Sequence, residues 1–454
     1  MDAGNTLPVV VIGAGPVGLA AAAHLLEHGL EPLILEAGPA AGAAIEQWRH
    51  IRLFSPWRFN LDAAAVRLLE GAVAPGSTTG AWEAPRPTAL PYGGELIDQY
   101  LTPLAALPAI SNRLHTNSEV VAVTRQGMDK THQRNRDTTP FTVRVRHRDG
   151  STRDVAAAAV IDVSGTWSTR NPLGSAGLPA AGEANAAGRI SSPLPDVLGR
   201  DRSAFAGRRV LVVGAGHSAA NVLINLADLA KAEPDTRIMW AVRGASAAKV
   251  YGGGDLDGLP SRGQLGSRLR RLVEAGTIQL HTRFGIASIN TLDSQVTLEA
   301  TDGRTLGADV VVPCTGFRPD LSILRELRLE LDPAVEAPRQ LGPLIDPEFH
   351  SCGTVAPHGA SVLAHPEKDF YIAGMKSYGR APTFLLATGY EQVRSIAAAL
   401  AGDREAADTV RLELPETGVC SSDGGGCCDE PTPEPVLIGF PTGLSHGRSS
   451  PSPP

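Results

Sequence analysis

The sequence predicts an α/β fold in which one domain with a parallel sheet is interrupted by a second domain of the same kind. Three observations predict it. Val9–Gly18 (VVVIGAGPVG) and Val210–Ala219 (VLVVGAGHSA) each read as an apolar strand running into a glycine turn and then a helix. Two other apolar runs, Ile161–Thr166 and Val311–Gly316, end in small-residue turns suited to chain crossings between domains. The chain, at 454 residues, is too long for one core.

Taken in order, Pro8–Ile12 is a strand, Pro16–His28 a helix and Leu30–Glu36 a strand. The stretch Trp48–Tyr92 is rich in Pro and Gly and reads as irregular, and Glu95–Leu107 has helical spacing. Alternation at Glu119–Thr124 and Phe141–Arg148 predicts strands, with Gly127–Thr139 as a polar hairpin loop and Val155–Val163 as an apolar strand. The second unit starts at Arg209 and runs to Arg243; strands at Thr277–His281, Gln295–Glu299 and Asp309–Pro313 follow. Phe370–Ala373 is a short strand and Thr383–Leu400 a helix. Beyond Asp403 the chain turns to Pro, Gly, Ser and acidic residues, the composition of a disordered tail. The expected domains are 1–200 (first part of the outer domain), 201–313 (inserted domain), 314–403 (completion) and 404–454 (tail).

Composition excludes several partners. The net charge is 41 − 48 = −7 with no long basic run, so neither nucleic acid nor an anionic membrane is expected. No apolar run approaches the roughly 20 residues of a membrane span, and Leu7–Ile12 follows Asp2 where a secretory signal would carry Lys or Arg. Five cysteines, three of them in the tail, are not a secreted disulfide framework, so a cytoplasmic protein is expected.

The two glycine turns carry the chemistry. Gly13 permits the tight turn, Gly15 lets a diphosphate reach the backbone, and Gly18 lets helix and strand pack closely, with the positive helix end facing the anion. Glu36 ends the next strand, where an acid accepts hydrogen bonds from ribose hydroxyls. The second turn repeats the pattern at Gly214 and Gly216, with Ala219 in the third position and His217 and Ser218 opening the helix. Its second strand ends in Arg243, a cation that suits the 2′-phosphate of NADPH better than the bare ribose of NADH. Two dinucleotide sites in one chain make a hydride relay, and FAD is expected at the first because it stays bound between half-reactions.

On GAGPVG, Trp48–Pro56 (WRHIRLFSP), Ser164–Thr166 (SGT), GAGHSA and Thr315–Asp320 (TGFRPD), the chain resembles the flavin-containing monooxygenase-like branch of the two-dinucleotide flavoproteins. The resemblance spans about residues 7–402. It implies an FAD-binding Rossmann-like domain with an inserted NAD(P)-binding Rossmann domain, NADPH as reductant, and O2 consumed to oxygenate a small soft nucleophile (sulfur, nitrogen or an arsenic species). It also implies that Trp48, Arg52 and Asn60 surround the flavin, that Val120 meets the adenine through its backbone, and that Gly374 and Met375 approach the flavin side. The phrases VYGGGDLDGLPSRGQLGSRLR and GMKSYGRAPTFLLATGYEQVRS are similar to flavin oxidoreductases found beside arsenic-resistance genes. There are departures. Gly188–Pro193 (GRISSP) lacks the family's histidine, and Cys314 stands where alanine is usual.

Cys420, Cys427 and Cys428 lie in a Gly/Ser segment where three sulfurs can meet one soft metal(loid) ion; a redox relay and no catalytic role are the alternatives. A disulfide reductase of the familiar type needs a CxxxxC near the first helix or a CxxC in the nicotinamide domain, and neither occurs. His350, His358 and His365 lack metal-ligand spacing. The remaining alternatives are a thiol or disulfide reductase working through the tail, and a flavin-bound metalloid sensor. The expected partners are a small-molecule substrate and O2, with a homodimer as a further alternative.

Overall fold

The computed structural model describes residues 7–72, 82–252, 260–292, 295–347, 357–381 and 384–412. Residues 413–454 of the expected tail, with Cys420, Cys427 and Cys428, lie outside the described residues, as do His350 and Thr383; the tail's first residues instead form a short helix, Arg404–Asp408.

Two parallel sheets are nested in the chain. The first contains β1 (Val9–Ile12), β2 (Pro32–Leu35), β3 (Leu114–His115), β7 (Ala159–Asp162) and β15 (Phe370–Ile372), ordered β15-β7-β1-β2-β3. Register pairs Ile12 with Leu35 and with Asp162, and Asp162 with Ile372, so these strand ends lie level along one edge. The second contains β8 (Arg209–Val213), β9 (Arg237–Ala241), β10 (Ile278–His281) and β14 (Val310–Pro313), ordered β10-β9-β8-β14. All of its strands fall between β7 and β15, so the insertion is a fact of topology.

Each sheet is covered on both faces, which is why its strands read as continuous apolar runs. In β1, Val9 and Val11 join the core under the helices Pro16–Glu27 and Leu386–Leu400. Val10 and Ile12 join a core beneath the antiparallel sheet of β4 (Ser118–Arg125), β5 (Phe141–His147) and β6 (Thr152–Ala157). The inserted domain repeats this plan. Val210 and Val212 pack under the helices His217–Ala232 and Pro260–Glu274, with Leu223 and Leu269. Leu211 and Val213 face β11 (Ile286–Leu292), β12 (Gln295–Ala300) and β13 (Thr305–Ala308), meeting Ile289 and Leu298. Burying each such Val, Leu or Ile contributes roughly 1.5–3 kcal/mol.

Several elements differ from the sequence-based expectation. The stretch expected to be irregular holds a helix, Ala63–Gly71, capped by Asp62, whose Oδ1 accepts from the Ala65 amide at 2.9 Å. Glu95–Leu107 is not one regular helix: Ile97–Leu101 forms a π turn between the helices Gly93–Leu96 and Thr102–Ala106. Val155–Val163 splits at Ala158 into β6 and β7, which belong to different sheets.

Candidate functional site

The first glycine turn sits at the carboxyl ends of β1 and β7. Gly13 adopts φ +103°, and a Cβ there would lie 3.0 Å from the Val163 carbonyl oxygen. A Cβ on Gly18 would lie 2.0 Å from the Gly13 carbonyl oxygen, so helix and strand touch only because both residues are glycine. Gly15 differs: a Cβ would meet nothing within 4 Å. The chain itself does not require glycine there, whereas a diphosphate laid on the backbone would. The helix Pro16–Glu27 carries no acidic residue in its first turn, so its positive end is free to meet an anion.

Glu36 is half-buried at the end of β2. Its Oε2 accepts from the Ala14 amide at 2.7 Å and its Oε1 from the Gly38 amide at 2.7 Å. Each oxygen keeps a second lone pair, enough for a ribose diol. Val120 is buried on β4, in the core shared with Leu35, beside a register shift between Val120 and Ala122. Gly374 follows β15 at φ +66°; its amide donates to Gln392 Oε1 at 2.7 Å, and a Cβ on it would stand 3.5 Å from the Val17 side chain. Gly374 and the half-buried Met375 therefore adjoin the start of the first helix.

Lys376, two residues further on, was not singled out from the sequence. It is 2% exposed, and its Nζ lies 2.7 Å from Asp162 Oδ2 and 3.1 Å from Ser164 Oγ. The expected neighbours of the flavin are spread out. Trp48 packs against both domain cores, with its ring 6.4 Å from that of Trp167. Arg52 is exposed, 5.8 Å from the Tyr92 ring. Asn60 is fully buried and engaged, donating to the Ser55 carbonyl at 2.7 Å and the Pro56 carbonyl at 3.1 Å, and accepting from Ser55 Oγ at 2.9 Å.

The second glycine turn repeats the first. Gly214 adopts φ +131°, and a Cβ would lie 2.0 Å from the Cys314 carbonyl oxygen; at Gly216 a Cβ would meet nothing within 4 Å. Ala219 is fully buried, and the helix His217–Ala232 also lacks an acid in its first turn. Ser218 is half-buried in that turn, and the His217 ring lies 5.3 Å from Phe54, a residue of the outer domain. Arg243 is exposed and donates to the Ser175 carbonyl at 3.1 Å.

The two crossings between domains are joined side by side. The Asn171 amide donates to the Gly316 carbonyl at 2.9 Å, Thr315 Oγ1 to the Asn171 carbonyl at 2.6 Å, and the Arg318 amide to the Thr169 carbonyl at 3.0 Å. The Trp167 and Phe317 rings beside them lie 4.9 Å apart. Cys314 is buried, its thiol donates to the Pro193 carbonyl at 3.3 Å, and burial raises its pKa, which disfavours the thiolate. His358 is buried with its Nε2 2.8 Å from Gln392 Nε2, and His365 Nδ1 accepts from the Glu330 amide at 3.3 Å. Among the described residues no group of three or more His, Cys, Asp or Glu could hold a metal ion. No helix among them is long and apolar enough to cross a membrane. A cleft of about 710 Å³ lined by His24, Arg58, Asp62 and Arg394 reaches the far end of the helix Pro16–Glu27, away from the glycine turn.

The family described as pyridine nucleotide-disulphide oxidoreductase matches residues 7–338. Three solved structures illustrate the likeness. The bacillithiol disulfide reductase of Bacillus cereus is 20% identical, with a TM-score of 0.61 over 88% of this chain and 99% of that one. The FAD-bound cadaverine monooxygenase of desferrioxamine biosynthesis from Erwinia amylovora is 13% identical, with a TM-score of 0.60 over 90% of this chain and 97% of that one. A flavin-containing monooxygenase from Stenotrophomonas maltophilia is 22% identical, with a TM-score of 0.50 over 87% of this chain and 98% of that one. At these identities the likeness is one of fold. No curated protein matches the chain.

Proposed function

We infer, from a chain that belongs to the pyridine nucleotide-disulphide oxidoreductase family, an NADPH-consuming monooxygenase that oxygenates a small soft nucleophile (a sulfur, nitrogen or arsenic species). Family membership makes the chain an oxidoreductase that uses FAD and a pyridine nucleotide. Gly13, Gly15, Gly18 and Glu36 hold the ADP part of FAD, with Val120 beside the adenine. Trp48, Arg52, Gly374 and Met375 border the flavin. Gly214, Gly216, Ser218 and Arg243 hold the nicotinamide dinucleotide. Bound FAD supplies hydride acceptance and oxygen activation. The chain orients the two cofactors through its paired glycine turns and helix ends, and keeps water from the space between the domains with Trp48, Trp167 and Phe317.

One observation carries the choice of an oxygenase over a reductase. The only cysteine among the described residues is Cys314, which is buried, so none of them offers a dithiol to the flavin. The family's name favours a second reading, a thiol or disulfide reductase working through Cys420, Cys427 and Cys428, which as a trio also suit a soft metal(loid) ion. A homodimer is compatible with either reading.

The deciding experiment is turnover with candidate thioethers, amines and trivalent arsenicals under labelled O2. An oxygenase consumes one NADPH, one proton and one O2 per product, places one oxygen atom from O2 in the product and releases the other as water. NADPH oxidation that proceeds with disulfide substrates under argon, with no label incorporated under O2, sinks the reading in favour of the reductase.

A further inference from the structure

We propose that Arg283 is a second cation for the 2′-phosphate of NADPH, standing beside Arg243 at the end of the neighbouring strand. This assignment rests on the NADPH reading above and names a residue that sets the choice of coenzyme. β9 and β10 are parallel, with Ala241 level with His281. Their pairing continues past the strand ends. The Val242 amide donates to the His281 carbonyl at 3.0 Å, the Phe284 amide to the Val242 carbonyl at 3.0 Å, and the Arg283 amide to the Gly244 carbonyl at 2.9 Å. Arg243 and Arg283 each follow their strand's last residue by two, so they emerge at the same level in adjacent turns. That level is the carboxyl edge of the sheet, where the glycine turn after β8 also lies, and where open α/β sheets take their ligands.

The turn that presents Arg283 is held in place. Arg283 adopts φ +51°, a left-handed conformation that is uncommon for a residue with a side chain. Arg304 fixes it by donating to the Arg283 carbonyl at 2.7 Å and the Thr282 carbonyl at 3.2 Å, while its Nε donates to Asp302 Oδ2 at 2.8 Å. Phe284, the next residue, is 2% exposed and anchors the chain in the core. Arg304 is thus used internally and its charge is matched by Asp302, whereas Arg283 is exposed. Among the described residues no carboxylate pairs with either Arg243 or Arg283, and Arg283 has no side-chain hydrogen bond. Two guanidiniums borne on adjacent turns with no carboxylate partner suit a phosphate dianion, which takes charge-assisted hydrogen bonds from both, and a ribose hydroxyl does not.

The test is calorimetric titration of the FAD-loaded protein with 2′,5′-ADP and with 5′-AMP, comparing wild type with R283Q and R283G. Glycine suits the left-handed backbone, so R283G removes the cation while keeping the turn. In both variants 2′,5′-ADP should bind roughly tenfold more weakly, with 5′-AMP unchanged and the difference shrinking as salt rises. If wild type prefers 2′,5′-ADP and both variants keep that preference in full, Arg283 is excluded and the NADPH reading survives. Equal weakening for both ligands also overturns the assignment. If wild type binds the two ligands alike, the NADPH reading falls, and the assignment of Arg283 falls with it.

Discussion

Lys376 carries its ammonium into a place with almost no water, against an Asp162 that is fully buried. Desolvating two charges costs several kcal/mol per ion, and only their mutual attraction and further hydrogen bonds offset it. Asp162 has those further bonds: its Oδ1 accepts from the Ser164 amide at 3.1 Å and from Ser164 Oγ at 2.7 Å. Lys376→Met leaves the carboxylate without its counter-ion, so we expect a loss of about 3–5 kcal/mol in denaturant unfolding. Adding Asp162→Asn should recover much of it; a double variant as unstable as the single one would show that the pair is not what Lys376 provides. At this scale the sequence is legible where a residue's role depends on near neighbours. The place of Glu36 could be read because an acid at the end of the second strand has a fixed relation to the glycine turn, whose Ala14 amide it meets. Lys376 could not, because its partner lies 214 positions away and only the parallel order β15-β7 brings them together.

The segment expected to be a polar hairpin loop, 127–139, shows how an element can be polar and still be core. Arg136 within it is 2% exposed, and its Nη2 donates to Glu367 Oε2 at 2.8 Å; Arg125 Nε donates to Glu367 Oε1 at 2.7 Å. Burial alone would raise the Glu367 pKa, but the hydrogen bonds from Arg136 and Arg125 outweigh it and leave it lowered. A carboxyl whose pKa is lower folded than unfolded stabilises the protein above the unfolded value, about 4.3, and that contribution is lost as pH falls through the folded value. Glu367→Gln should therefore cost about 3–5 kcal/mol at pH 7 and flatten the loss of stability below about pH 4.3. Equal stability of the two proteins at pH 7 would mean that the loop is not anchored through Glu367. The other element-level differences have similar causes. The helix Ala63–Gly71 is short and lies between breakers, Pro56 before it and Pro75 and Gly76 after it, although Asp62 before three alanines is a cap signal that points to it. The break at Ala158 is hidden because both halves of the run are apolar, and periodicity alone does not say which sheet a strand joins.

At the scale of the whole molecule the nesting was readable because each domain announces itself with the same strand–glycine–helix phrase. Where the packed body ends was less readable, since composition changes at Asp403 but packing does not. The short helix Arg404–Asp408 lies on Leu386–Leu400: Ser395 Oγ donates to the Ala407 carbonyl at 2.6 Å, and Arg394 donates to the Ala406 carbonyl at 2.8 Å and the Thr409 carbonyl at 2.6 Å. The Arg411 amide donates to Glu391 Oε1 at 3.1 Å, and Glu391 is 6% exposed. Ser395 in turn accepts from the Ala360 amide at 2.8 Å, so these contacts reach the segment before β15. A chain cut after Asp403 strips that lattice, at about 1 kcal/mol per hydrogen bond and more where a polar group stays buried, and should unfold at clearly lower temperature. A chain cut after Leu412 keeps every one of these bonds and should unfold within about 2 °C of the full protein. The second cut also removes Cys420, Cys427 and Cys428, so its turnover separates the two functional readings without the confusion of a damaged fold. An oxygenase built from the described residues keeps its rate with every productive substrate. A reductase that works through those three cysteines retains bound flavin and its reduction by NADPH, but loses the transfer of electrons to disulfide.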